Sequence, residues 1–138
     1  MRIRILLGTL ALAGLGLTAC GGSGDGGGGN NPTPGNLTVV LTSAASAPGA
    51  VMFTISGGAI TGVTASGTYH LYEASFGVNS RRVMLTGNII SGTLVTIAVP
   101  DIAKVGQYSV TTNQVSARVT AAIPYQQLAV VGFPIDVQ

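Results

Sequence analysis

The part of the chain from Leu37 to Gln138 predicts an all-β domain, a single antiparallel β-sandwich of the jelly-roll or immunoglobulin-like kind with about eight or nine strands. Three observations point there. Short segments alternate apolar and polar residues, as half-buried strands do. Threonine, valine and isoleucine dominate those segments, in line with the preference of branched side chains for a pleated surface. Glycine, proline, asparagine and serine punctuate them at short intervals, and no long window keeps an apolar period of 3.6 residues.

Taken in order, LTVVLT (Leu37–Thr42) is the first such segment, followed by the turn-rich SAASAPG. In AVMFTISG, alternation sends Val51, Phe53 and Ile55 to one face and Met52, Thr54 and Ser56 to the other. AITGVTASG and TYHLYEASF are the next two. In the latter, Tyr69, Leu71 and Glu73 share one side, and His70, Tyr72 and Ala74 the other. RRVMLTG, GTLVTIAVP and QYSVTTNQVSA read as further strands, and LAVVGFPIDVQ closes the sequence. Short helical turns are expected near Pro100–Gly106, where Asp101 is placed to cap, and near Ile123–Leu128. No internal repeat is present.

Composition narrows the function. Of 138 residues, 21 are glycine, none is tryptophan and only 7% are charged, far below the usual quarter or so. The formal charge of +2 owes its sign to Arg2 and Arg4. Without them, Arg81, Arg82, Lys104 and Arg118 balance Asp25, Glu73, Asp101 and Asp136. A near-neutral body carries no electrostatic footprint for nucleic acid.

The first residues, MRIRILLGTLALAGLGLTAC, place two arginines before an apolar run that ends in small residues. That order is a secretory signal, and the run is too short and too glycine-rich for a comfortable membrane span. Leu17-Thr18-Ala19-Cys20 resembles the lipobox of bacterial lipoprotein signal peptides. The resemblance implies a diacylglycerol thioether on Cys20, cleavage ahead of it, and an acyl chain such as palmitate on the new amino terminus. A thiolate suits such an alkylation, and two or three acyl chains give lasting attachment to a bilayer. Gly21 stands where an aspartate commonly retains such proteins at the inner membrane. The expected location is therefore the cell envelope, at the outer membrane (periplasmic or surface face) if the source has two membranes. Cys20 is the only cysteine, so no disulfide supports the domain.

Residues 1–19 are thus read as signal peptide, 20–36 as the lipid-bearing cysteine and a flexible linker, and 37–138 as the sandwich. GGSGDGGGGNNPTPGN buries nothing and resists ordering; a coil of that length spans about 20–24 Å. With no strand before it and no lysine-bearing helix after it, it is not a phosphate loop.

Within the domain, GAVMFTISGGAITGVTASG (Gly49–Gly67) and SGTLVTIAVPDIAKVGQYSVTTNQVSA (Ser91–Ala117) resemble cohesin-type sandwich modules. The likeness implies a nine-stranded jelly-roll-like sandwich that binds protein partners or cell-surface material. The chain is shorter than those modules and almost chargeless, and no binding residue transfers from them.

Catalytic constellations are poorly supported. His70 is the lone histidine, no G-x-S-x-G elbow occurs in the domain, and no His/Cys/Asp set for a metal remains once Cys20 is lipidated. Glu73, Asp101 and Asp136 read as solvated loop or edge charges. Arg81 and Arg82 read as guards of an exposed strand edge, with anion binding as the functional alternative. His70, Tyr72, Arg81 and Arg82 make up the candidate ligand surface. The expectation is a lipid-anchored, non-enzymatic binding or adhesion module without cofactor. Its partner is expected to be an envelope protein; a surface polysaccharide is the second choice and a small hydrolase the third.

Overall fold

The computed structural model describes residues 31–122 and 124–138. Cys20, the segment read as a signal peptide and most of the segment read as a linker lie outside the described residues. Within them the chain is an antiparallel β-sandwich of nine strands: β1 Gly35–Leu41, β2 Pro48–Ser56, β3 Gly62–Ala65, β4 His70–Ser75, β5 Ser80–Thr86, β6 Gly92–Val99, β7 Ser109–Ala117, β8 Gln127–Leu128 and β9 Ile135–Val137. One sheet has the order β3-β6-β1-β9, the other β4-β5-β2-β7-β8. The predicted fold class holds, and no α-helix occurs among the described residues. Only the β4–β5 and β7–β8 connections stay within a sheet; every other connection crosses the core.

The core follows directly from alternation. Phe53 and Ile55 of β2, Val83 and Leu85 of β5, Val115 of β7, Val39 of β1 and Ile97 of β6 are fully buried between the sheets. Phe133 and Ile135 close one side from the C-terminal segment. Burying each such side chain stabilises by about 1.5–3 kcal/mol. The two sheets are therefore held together by about the interaction the sequence pattern had implied.

Of three local features, the first agrees with the sequence reading and the other two differ from it. The helical turn at Pro100–Gly106 is present as a 3₁₀ turn over Ile102–Gln107, capped as expected by Asp101, whose side chain accepts from the Ala103 amide. The turn expected near Ile123–Leu128 is absent from the residues described there; Gln127–Leu128 pair with β7 instead. A 3₁₀ turn falls at Val130–Gly132, inside the segment read as the last strand, and Phe133 after it drops into the core. A buried aromatic anchor following Val-Val-Gly outweighs the strand preference of the valines.

Asp101 is also not a solvated charge. It is 6% exposed, and its Oδ1 accepts from the Thr33 amide at 3.2 Å and the Ala103 amide at 3.1 Å, with Lys104 Nζ 3.8 Å from Oδ2. The Ile102 amide returns a bond to the Thr33 carbonyl. The proline-flanked segment around Thr33 is thereby pinned to the sandwich, and regular structure begins at Gly35, ahead of the expected boundary at Leu37. Gly57 marks a second close approach. Its φ of +120° is open to glycine, and a Cβ there would lie 1.8 Å from the Gln107 carbonyl oxygen.

Candidate functional site

The two solvent-facing surfaces of the sandwich have different chemistry. On the four-stranded sheet, cross-strand register aligns Thr64 of β3, Thr96 of β6 and Thr38 of β1 into a row. Small β-branched hydroxyl side chains satisfy both strand propensity and water. On the five-stranded sheet the equivalent row is Tyr72 of β4, Met84 of β5, Met52 of β2 and Gln114 of β7, each paired with the next. Tyr125, from the segment between β7 and β8, extends it: Gln114 Nε2 donates to the Tyr125 hydroxyl at 3.1 Å. Tyr72 is 57% exposed, Met84 37% and Tyr125 62%. With strands about 4.8 Å apart, the row crosses about 14 Å from Tyr72 to Gln114.

Polar rows border this line on both sides. One contains His70, Thr86, Ala50 and Ser116. The other contains Ala74, Arg82, Thr54 and Thr111. A bulge in the β2–β7 ladder between Met52 and Phe53 leaves Asn113 unpaired in the ladder. Its Oδ1 accepts from Thr54 Oγ1 at 2.7 Å. Two shallow depressions flank the thioethers. One, of about 220 Å³, includes Met52, Met84, Gln114, Ser116 and Tyr125; the other, of about 230 Å³, is lined by Met52, Tyr72, Glu73, Ala74, Arg82 and Met84.

The four candidate residues divide between the two sides of the sheet. His70, Tyr72 and Arg82 share the outer face. Arg81 belongs to the alternate set: its Nη1 donates to Ser75 Oγ at 2.7 Å and its Nη2 to the Ile60 carbonyl at 3.0 Å. It braces the sheet edge against the loop after β2. The edge-guard reading of the two arginines does not hold, because β5 is paired on both sides, by β4 and β2. Arg82 instead lies over the Phe76 ring, with Cζ 4.0 Å from the ring centroid. The β4–β5 turn sets that ring: the Phe76 amide donates to the Ser80 carbonyl at 3.1 Å, Ser80 Oγ donates back to the Phe76 carbonyl, and Gly77 takes φ +96°.

His70 is exposed opposite Thr86, and its side chain makes no hydrogen bond to another described residue. Glu73, Asp101 and Asp136 lie on different elements: β4, the cap of the 3₁₀ turn, and β9 of the other sheet. Among the described residues no group of three or more His, Cys, Asp or Glu is placed to hold a metal ion. Nor is any helix among them long and apolar enough to cross a membrane.

Sequence reasoning identified Tyr72 and Arg82 but passed over Met52, Met84, Gln114 and Tyr125. A signal existed for the methionines. Both fall in the outward phase of otherwise regular strands, VMFTI and VML, where threonine or serine is the ordinary occupant. Gln114 was hidden by the bulge, which changes the phase of β7, and Tyr125 by its position outside any strand.

Comparison with protein-family models, with curated proteins and with solved structures returns no match.

Proposed function

We propose that the protein is a non-enzymatic binding module, tethered to a bacterial envelope membrane through lipid on Cys20, which holds polysaccharide on the outer face of its five-stranded sheet. The observation that carries the reading is the Tyr72–Met84–Met52–Gln114–Tyr125 row with hydroxyl side chains along both borders and the Asn113 amide on one of them. A pyranose has the complementary layout, C–H faces on the ring and hydroxyls at the rim. An exposed tyrosine offers the flat surface for the first, and threonine, serine and asparagine offer partners for the second. A shallow face suits a chain passing across it better than a substrate to be enclosed and cleaved.

The test is retention of the detergent-solubilised full chain on immobilised envelope polysaccharide. The double variant Tyr72→Ala, Tyr125→Ala is expected to weaken retention by about tenfold or more while the thermal midpoint holds. Equal retention would refute the face. For the anchor, Cys20→Ser is expected to abolish fatty-acid labelling and release the protein from membranes; persistent labelling would refute the lipobox.

One observation favours a second reading, an envelope protein as partner in the manner of cohesin-like modules. The face gathers tyrosine, methionine, phenylalanine and arginine without lysine or carboxylate in its outward rows, the composition of interface centres. A defined protein that binds the wild type but not Met52→Thr, Met84→Thr, with no polysaccharide bound, would select it.

A further inference from the structure

We infer that Arg82 forms a carboxylate-binding subsite, so that the polysaccharide held on this face is an acidic one bearing uronate groups. The inference rests on the polysaccharide reading above and adds the charge of the ligand.

Four observations converge on Arg82. Its guanidinium has no carboxylate or hydrogen-bond acceptor among the described residues. Its Nε is buried and lacks a hydrogen-bond partner, which is an unusual and costly state for an arginine donor. The plane of the group is held by Phe76, which the closed β4–β5 turn positions, so little side-chain entropy remains to be lost on binding. Finally, Arg82 stands next to the aromatic–thioether row, two residues before Met84 on the same face of β5, and lines a depression with Tyr72 and Met52.

The charge of the surrounding face completes the case. The outward rows of the five-stranded sheet contain no aspartate or glutamate. Asp101 and Asp136 lie elsewhere; Glu73, which alternation assigns to the other side of β4, is exposed and lines the depression beside Arg82 but forms no ion pair with it. An unpaired cation on a face whose outward rows hold no carboxylate is complementary to a partner with sparse negative charge. A sugar ring seated on Tyr72 and Met84 would set a ring carboxylate within reach of the Arg82 fork, the geometry in which arginine is selective for carboxylates. The hydroxyl and amide borders favour a uronate over an acidic peptide, which offers one carboxylate but no rim of hydroxyls.

The experiment titrates the full chain in detergent with polygalacturonate, with neutral galactan and with poly-glutamate. The expected result is tighter binding of polygalacturonate than of galactan, weakening as salt rises. Arg82→Gln should reduce that preference about tenfold, and Arg82→Lys, which keeps charge but not the fork, should recover only part of it. Equal binding of the two polysaccharides by the wild type would overturn the inference and leave the polysaccharide reading standing. Binding of neither would overturn both. Binding of poly-glutamate as tightly as polygalacturonate would overturn the polysaccharide class in favour of an acidic protein. The wild-type comparison and its salt dependence decide the question even if a variant fails to fold.

Discussion

The outward row of one sheet is Thr64, Thr96 and Thr38; that of the other is Tyr72, Met84, Met52 and Gln114. Both rows lie on antiparallel strands, both face water, and both cover one shared core. Threonine is what strand propensity and solvation alone would select. Exposed methionine and tyrosine add nothing comparable to a solvated sheet and carry the liability of a sticky surface. The difference teaches that the requirements of folding account for one face and leave the composition of the other unexplained, which is the ground for the binding proposed there.

The comparison can be broken or sharpened by substitution. The largest effect is expected at the core that both rows cover. Phe53→Ala should cost about 3–5 kcal/mol, read as a lower denaturation midpoint, and degrade both faces together. Next comes Asp101→Ala, which removes the acceptor shared by the Thr33 and Ala103 amides. A loss of about 1–2 kcal/mol is expected, with faster exchange of those two amides. Replacing the unusual row by the ordinary one, Met52→Thr with Met84→Thr, should change stability by less than about 1 kcal/mol yet lower ligand affinity about tenfold. A large stability loss there would mean that the methionines serve packing, and the contrast between faces would vanish. The smallest effect belongs to Thr96→Ala: about 0.5 kcal/mol from lost cross-strand contacts, with binding unchanged by titration.

Most of the fold was legible because strand alternation is a local signal. Val51, Phe53 and Ile55 announce a buried face in five residues, and the observed burial follows them. What was not legible depends on partners distant in sequence. Whether Arg81 and Arg82 guard an edge is decided by which strand β5 pairs with, and only the sheet order supplies β4 and β2 as its neighbours. Asp101 carries no sequence mark of burial; the returning Thr33 segment makes it buried. The site was legible in part. Tyr72 and Arg82 were marked by residue type, whereas the row that joins Tyr72 to Tyr125 exists only through the register of four strands and a bulge.

The crossing connections have a consequence for how the molecule is assembled in time. β1, the first strand of the domain, lies between β6 and β9, and Thr38 exchanges two backbone hydrogen bonds with Gln138, each at 2.8 Å. In a chain synthesised amino end first, β1 emerges early but gains β9 beside it only when the last residues have been made. Such long-range pairing slows folding relative to hairpin-built sheets. Until the segment around β9 arrives, Val39 and Leu41 remain without their cover from Ile135 and Val137, so the interval between synthesis and closure is when the chain most needs shielding from self-association.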